Sequence, residues 1–293
     1  MTKTAWVFPG QGSQAIGMGA DLFDRPSAQD KLTQAAALLG WSVPDICQSE
    51  DDKVSNTLYT QPCLYTLESI LVDELKAQGK QPDVVAGHSL GEYVALYAAG
   101  VFDFAAGLQL VKRRAELMSQ ASDGMMAALI GCDRAQLDEQ LAATPDVVLA
   151  NDNNAGQVVI SGTPAAVESV LANVKSKRAV PLNVSGAFHS PMMADAAAEF
   201  QPLLESVTFQ TASIPVLSNV DPTPSPDGDV LKDRLVKQMT GSVRWREISL
   251  RLPEEGIDRV IEVGPGKVLT GLIKRTCKEL ALENISSAAD IAE

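Results

Sequence analysis

VVAGHSLGEYVALYAA, residues 84–99, contains the most diagnostic local pattern of this 293-residue chain. Its first three residues are an apolar run typical of a buried strand, and its second half is typical of a helix. The pentapeptide between them follows Gly-x-Ser-x-Gly, which between a strand and a helix indicates a nucleophile elbow. Such a turn lifts a serine hydroxyl into a cleft and directs the next backbone N–H, that of Leu90, toward a developing oxyanion. Ser89 is therefore the candidate nucleophile.

The chain has two histidines, His88 and His189, as candidates for the general base that this serine needs. His88 precedes the serine on the turn, so its side chain is expected to point away from the face that Ser89 presents. His189 is followed by a predicted N-cap serine and by Pro191 as first helical residue. We expect the positive end of that helix to disfavour the imidazolium and to keep His189 neutral. No acid is marked by a motif as its orienting group, and the nearest downstream acid, Asp195, is assigned to the following helix.

Segments on both sides of the elbow alternate between strand-like and helix-like patterns, which predicts a parallel sheet covered by helices. The predicted strands are Thr4–Pro9, the elbow strand, Ile214–Leu217 and Arg259–Val263. The predicted helices are Gln29–Leu39, Gln61–Gln78, the elbow helix, Phe104–Gln120, Pro191–Ser206, Val230–Met239 and Lys267–Leu280. The Pro-rich residues 221–227 predict a loop, and the last dozen residues are expected to fray.

The middle of the chain predicts an inserted subdomain, because its segments follow the order βαββαβ of the split ferredoxin-like unit. Its predicted strands are Met125–Cys132, Val147–Ala150, Gln157–Ser161 and Ala179–Val184, and its predicted helices are Arg134–Ala143 and Pro164–Lys177. We therefore expect a large catalytic domain formed by residues 1–124 and 190–293. We expect residues 125–189 to form the small subdomain.

Composition excludes several classes of protein. The net charge of −13 argues against nucleic-acid binding, and the four cysteines have no spacing typical of zinc sites or disulfide frameworks. No apolar run is long enough for a signal peptide or a transmembrane helix, so we expect a cytoplasmic enzyme. Residues 230–279 are an exception to the acidic balance, with eleven Lys and Arg against seven acids, or +4. This basic C-terminal surface could steer an acidic partner, and an ordinary mixed-charge surface is the alternative.

Arg114 falls on the apolar face of its predicted helix. With Leu110 at zero and 100° per residue, the apolar arc runs from about −20° to 160°, and Arg114 lies at about 40°. A guanidinium on the core side needs an anionic partner. The sequence leaves two partners open: a protein carboxylate, or a substrate carboxylate held by the bidentate fork of the arginine.

Five segments in this order resemble the malonyl-CoA:acyl carrier protein transacylases of fatty-acid and polyketide synthesis. These segments are Gly10–Gln14, Gly87–Glu92, Arg114, Ala187–Ser190 and Glu262–Gly266. The resemblance extends from Phe8 to about Arg275. It implies an α/β-hydrolase-like large domain with a parallel sheet and a ferredoxin-like insert, in agreement with the pattern of segments.

The resemblance also implies a mechanism. Ser89 would attack the thioester of malonyl-CoA with His189 as general base, and the malonyl ester would then pass to the pantetheine thiol of acyl carrier protein in a ping-pong reaction. The backbone N–H groups of Gln11 and Leu90 would form the oxyanion hole. Arg114 would pair with the free carboxylate of the malonyl group. The resemblance implies no metal or other cofactor.

Further site residues follow from the same resemblance. The histidine would be oriented by the backbone carbonyl of Gln238, in the last turn of its predicted helix, where carbonyls lack intrahelical partners. Phe188 resembles the malonyl-selecting pattern, because bulk near the α-carbon excludes a methyl branch. Asn151 and Asn153 resemble a loop facing the cleft, and they are equally compatible with a plain turn between two strands.

Two other functions are alternatives, of which the hydrolase shares the serine and the histidine with the transacylase. A serine thioesterase or carboxylesterase would need an apolar acyl pocket and a triad acid, whereas a non-catalytic carrier-protein docking module would need neither catalytic residue. Arg114 and the Gln11 loop favour the transacylase, with malonyl-CoA and acyl carrier protein as partners and the basic C-terminal surface as the docking side. We expect the enzyme to be a monomer.

Overall fold

A computed structural model describes residues 2–184 and 186–291. In these two ranges the strands are β1 (Thr4–Phe8), β2 (Val84–Gly87), β3 (Met125–Ile130), β4 (Val147–Asn154), β5 (Gln157–Gly162), β6 (Arg178–Pro181), β7 (Val216–Leu217), β8 (Arg259–Val263) and β9 (Ala281–Ile285). The helices are α1 (Ala20–Phe23), α2 (Pro26–Leu39), α3 (Val43–Cys47), α4 (Thr57–Ala77), α5 (Gly91–Ala98), α6 (Phe104–Gln120), α7 (Arg134–Ala143), α8 (Pro164–Asn173), α9 (Ala194–Ser206), α10 (Gly228–Gln238), α11 (Trp245–Glu254), α12 (Val268–Thr276) and α13 (Ala288–Ile291), with 3₁₀ turns at Lys53–Ser55 and Pro191–Met193. None of these helices is both long and apolar enough to cross a bilayer.

The larger sheet is parallel, with strand order β7-β2-β1-β8-β9. Its central strand β1 is buried along its whole length, as expected for a parallel strand covered by helices on both faces. Successive β1 side chains therefore enter two separate cores. Ala5 and Val7 pack in one core, and Trp6 and Phe8 pack in the other. Because the strands are parallel, the loops after β1, β2, β7 and β8 meet at one edge, where sites form in open α/β sheets.

The smaller sheet is antiparallel, with strand order β4-β5-β3-β6. Helices α7 and α8 interrupt its strands in the order βαββαβ. Alternate residues of β3 face opposite sides: Ala127 and Leu129 pack in a core with α7 and α8, whereas Met126 and Ala128 join the core of the larger domain. The predicted fold class, a parallel α/β domain with a ferredoxin-like insert, is confirmed. The exact domain boundaries stay a prediction.

Two regular elements near the C-terminus differ from expectation. Helix α11 was not predicted, although its buried residues Trp245, Ile248 and Leu252 have helical spacing. The expected helix Lys267–Leu280 ends at Thr276, and the chain then forms the edge strand β9 beside β8. Strand β9 and α13 also show that the expected fraying of the last dozen residues is wrong up to residue 291; residues 292 and 293 lie outside the described residues.

The expected loop at Asn151 and Asn153 is also wrong, because β4 continues to Asn154. Two register shifts in the β4–β5 pairing, at 149/151 and 152/154, accommodate the polar residues in an irregular strand. The outer edge of β4 is held by the segment before α11: Val243 N–H donates to Ala150 O at 2.8 Å, and Asp152 N–H donates to Val243 O at 3.0 Å. Strand β4 thereby joins the small sheet to the large domain.

Candidate active site

The turn after β2 has the strained geometry of a nucleophile elbow. Ser89 has a φ of +52°, in the left-handed region that a residue with a side chain rarely adopts. A Cβ on Gly87 would lie 1.9 Å from the carbonyl carbon of Gly91, and a Cβ on Gly91 would lie 2.0 Å from Phe8 O. Both glycines of the pattern are therefore required for the elbow to pack against α5 and β1.

His189 lies directly beside the serine, with 2.8 Å between its Nε2 and Ser89 Oγ. Its Nδ1 lies 3.0 Å from the backbone oxygen of Gln238 and 3.1 Å from that of Gly241. Because both oxygens only accept hydrogen bonds, Nδ1 carries the proton and Nε2 accepts from the serine hydroxyl. The imidazole is thus oriented by two carbonyls, and Asp195 lies in the first turn of α9.

Burial, and next the positive charge of Arg114, lower the pKa of His189 from 6.5 to about 3. The histidine is only 4% exposed, so its charged form is poorly solvated. At neutral pH it is therefore an unprotonated base.

This pKa predicts that the rate of acylation of Ser89 is nearly independent of pH between pH 7 and pH 5. A lowered pKa means that the folded protein keeps His189 neutral as pH falls from 7 to 5, where an ordinary histidine becomes protonated. We expect kcat/KM for release of thiol from the acyl donor to change less than twofold over this range. The measurement uses mixed buffers of constant ionic strength. A loss of activity with a midpoint near pH 6.5 would contradict the assigned base.

Arg114 is almost completely buried, at 1% exposure, and its hydrogen bonds go to neutral oxygens. One terminal nitrogen donates to Gln61 Oε1 at 2.6 Å; the other donates to Ser89 Oγ at 3.0 Å and to Gln238 Oε1 at 3.2 Å. The guanidinium carbon also lies 5.5 Å from the centre of the Tyr93 ring. The sequence left two partners open for Arg114, a protein carboxylate and a substrate carboxylate. No protein carboxylate is hydrogen-bonded to the guanidinium among the described residues.

The serine opens into a cavity of about 100 Å³. Its lining residues are Gln11, His88, Ser89, Leu90, Arg114, Met118, Met126, Asn151, Leu182, Val184, Phe188 and His189. Among the described hydrogen bonds, none is donated by the backbone N–H of Gln11 or of Leu90. A Cβ on Gly10 would lie 2.4 Å from His88 O, so the loop with Gln11 packs tightly on the elbow.

The two asparagines of β4 have different environments. Asn151 lines the cavity, whereas Asn153 does not. The Oδ1 atom of Asn153 instead lies 2.9 Å from His88 Nε2. His88 thus points away from the serine hydroxyl, as expected. The structure brings together Ser89, His189, Arg114, Gln238, Gln11, Leu90, Phe188 and Asn151, and leaves Asn153 in a supporting position.

Sequence reasoning missed three buried polar residues around the site: Gln61, Glu92 and Asn219. Asn219 follows β7 by two residues, as Ser89 follows β2, and these neighbouring strands pair in parallel. The polar residues directly after the predicted strand Ile214–Leu217 are the sequence signal that could have identified Asn219. Gln61 is the first residue of its predicted helix, and Glu92 is part of the elbow stretch without an assigned role.

The acyl transferase domain model matches residues 5–292 of the chain. The malonyl CoA-acyl carrier protein transacylase of Synechocystis sp. is 60% identical over 289 residues, which cover 99% of both chains. The chain belongs to the acyl transferase domain family. Within this family it is similar throughout its length to the malonyl CoA-acyl carrier protein transacylases, and the resemblance based on five segments is confirmed.

Solved structures of the acyl transferase family agree with this assignment. The crystal structure of the Synechocystis malonyl-CoA:ACP transacylase superposes with a TM-score of 0.97 at 60% identity, covering 99% of each chain. A malonyl-transacylase solved in complex with a type II polyketide synthase acyl-carrier protein superposes with a TM-score of 0.93 at 35% identity, covering 99% of this chain and 98% of that one. The fold of this protein is therefore that of the family.

Proposed function

We propose that this protein transfers a malonyl group from malonyl-CoA to the phosphopantetheine thiol of an acyl carrier protein, through a malonyl ester on Ser89. One observation carries the proposal: a buried guanidinium lies 3.0 Å from the nucleophile, and its partners are neutral. A fixed positive charge at this point favours an acyl group that ends in a carboxylate, because a bidentate pair with Arg114 satisfies both charges.

In the first half-reaction, Ser89 Oγ attacks the thioester carbonyl carbon while His189 Nε2 takes the hydroxyl proton. The carbonyl oxygen becomes an oxyanion that accepts hydrogen bonds from the N–H groups of Leu90 and Gln11. The carbon–sulfur bond then breaks, and the CoA sulfur leaves with the proton from His189. The product is a malonyl ester on Ser89.

In the second half-reaction, the thiol of the carrier's phosphopantetheine gives its proton to His189 Nε2, and the thiolate attacks the ester carbonyl. The bond from this carbon to Ser89 Oγ breaks, and the oxygen takes the proton back. Every proton in this scheme is carried by His189. The carbonyls of Gln238 and Gly241 keep the imidazole in one tautomer throughout.

The cavity wall supplies selectivity in this proposal. Phe188 is buried beside the catalytic histidine, and its ring limits the space for a branched acyl group. Asn151 also lines the cavity, and its Oδ1 has no hydrogen-bond partner in the described residues. We assign Asn151 to the substrate, because a buried amide oxygen without a partner is costly unless a bound group donates to it.

The carrier protein is proposed to dock beside α12. Several cations of the basic C-terminal surface are paired with acids, for example Arg234 with Asp221 at 2.6 Å. Lys274 and Arg275 are exposed in the last turn of α12, and Lys267 precedes this helix. Gly266, which precedes Lys267, lies beside Ser13 in the loop that carries Gln11. A phosphate-bearing arm entering the cavity would thus pass close to positive charge.

The test is intact-mass spectrometry of the protein mixed with malonyl-CoA or acetyl-CoA, followed by a chase with phosphopantetheinylated carrier protein. We expect a stable malonyl adduct, little acetyl adduct, and complete transfer of the malonyl group to the carrier. Added salt should slow the chase more than the acylation, because the docking contact is between exposed charges. Free malonate without an adduct would favour the thioesterase, and no reaction would favour the docking module.

Two features of the site weigh against a hydrolase. His189 is held by two carbonyl oxygens where a hydrolase triad uses a carboxylate, and the acyl side of the cavity contains a charged guanidinium. Both features suit a dicarboxylic thioester.

A further inference from the structure

A buried carboxylate that the proposed reaction does not use lies directly beneath the elbow. Glu92, in the first turn of α5, is 1% exposed. Its Oε2 accepts hydrogen bonds from Gln238 Nε2 at 2.7 Å and from the backbone N–H of Asn219 at 3.1 Å. Its Oε1 accepts none from the described residues. The two hydrogen bonds that Oε2 accepts therefore come from residues that contact the catalytic groups.

The first of these residues is Gln238, whose side-chain amide bridges three groups. Its Nε2 donates to Glu92 and also to Ser89 O at 2.9 Å, and its Oε1 accepts from Arg114 at 3.2 Å. A flipped amide would place its NH₂ group against the arginine N–H donors and its oxygen against two acceptors. Glu92 thus helps to fix the orientation in which Gln238 holds both the guanidinium and the elbow.

The second residue is Asn219, which holds the other side of the elbow. Its Oδ1 accepts the backbone N–H of Ser89 at 2.7 Å, and its Nδ2 donates to Gly87 O at 2.6 Å. Glu92 anchors the backbone of Asn219. The backbone N–H and C=O of Ser89 are therefore bound by the side chains of two residues that Glu92 contacts, Gln238 through its side chain and Asn219 through its backbone N–H. A serine keeps a left-handed backbone conformation only when the surrounding structure holds it there, and these contacts supply that restraint.

We propose that Glu92 is a positioning residue of the transfer site, which acts on Ser89 and Arg114 through the side chains of Gln238 and Asn219. It touches no substrate, so its effect is on the rate of serine acylation. The position of Oε2 is what matters in this proposal, because the two N–H groups that it accepts come from separate elements. This inference depends on one part of the proposed function, namely that Ser89 is the nucleophile.

The experiment compares E92D with E92Q. Aspartate keeps the charge but withdraws the oxygens by about 1.5 Å, one carbon–carbon bond. Glutamine keeps an oxygen at the position of Oε2, and its NH₂ group replaces the oxygen that accepts no hydrogen bond. The readout is the burst of p-nitrophenol from p-nitrophenyl acetate, because the good leaving group of this neutral ester allows acetylation of Ser89 even where acetyl-CoA is a poor donor. Burst amplitude counts the competent sites, so misfolded protein does not enter the rate.

We expect E92D to lower the acylation rate constant per competent site about 30- to 100-fold, with KM within about twofold, because misplacement on the ångström scale has this effect. E92Q is expected to stay within about threefold of the wild type. E92D at the wild-type rate, or E92Q as slow as E92D, would overturn the proposal. A wild-type burst without malonyl transfer to carrier protein would reject the proposed function and leave the Glu92 comparison intact.

Discussion

Ser89→Ala is expected to abolish the malonyl adduct and to lower transfer to carrier protein on the order of 10⁵-fold. The serine hydroxyl is the acceptor atom of the first half-reaction and the leaving group of the second, so no covalent route remains without it. Intact-mass spectrometry after incubation with malonyl-CoA should show unmodified protein. The carrier protein in the same mixture should stay unacylated over the time in which the wild type reaches completion.

The matched control for this variant is binding. Ser89→Ala keeps Arg114 and its neutral partners Gln61 and Gln238, so malonyl-CoA should still bind, and calorimetry should give a Kd within about tenfold of the wild-type KM. Lost binding together with lost transfer would indicate a misfolded site. A persistent adduct on the variant would place the nucleophile elsewhere, and transfer without any adduct would replace the ping-pong scheme by direct transfer.

Local chemistry explains why the elbow and its base were predictable. A left-handed serine between two close-packed backbones needs glycine at both flanks, so Gly87 and Gly91 mark the turn in the sequence itself. The chain has only one histidine besides the one on the turn, which left His189 as the base. Arg114 was detectable for a similar reason, because a charge on the apolar face of a helix conflicts with the helical period.

The contacts around these groups depend on distant parts of the chain and were not predictable. Asn219 meets the Ser89 N–H across 130 positions, through the parallel register of β2 with β7. Gln61 meets Arg114 because α4 packs on α6. No local pattern encodes either contact, since each depends on how separate elements assemble.

The asparagines of β4 show a further limit. Asn151 and Asn153 are two positions apart, so a regular strand would place them on one face. The register shifts beside them send one side chain to the cavity and the other to His88. A β-bulge at this point has no sequence signature as clear as a glycine, so the two roles could not be separated before the pairing was known.

Arg114→Ala is expected to change acyl selectivity more than any other single substitution at the site. Without the guanidinium, the malonyl carboxylate enters a buried cavity with no charged partner, and a lost charge-assisted hydrogen bond of about 2–3 kcal/mol corresponds to about 30- to 150-fold. We expect kcat/KM for malonyl-CoA to fall by at least this factor. Acetyl-CoA should be affected much less, since its methyl group makes no pair with the arginine.

The ratio of the two donors is the decisive quantity, because Arg114 also donates to Ser89 Oγ and its removal affects every acyl donor to some extent. Arg114→Lys is the matched control: it keeps the positive charge and loses the planar fork. Its malonyl preference should lie between those of the wild type and Arg114→Ala. Equal losses for malonyl-CoA and acetyl-CoA in Arg114→Ala would show that the arginine serves only the nucleophile. In that case the buried charge would not be the element that recognises the malonyl carboxylate.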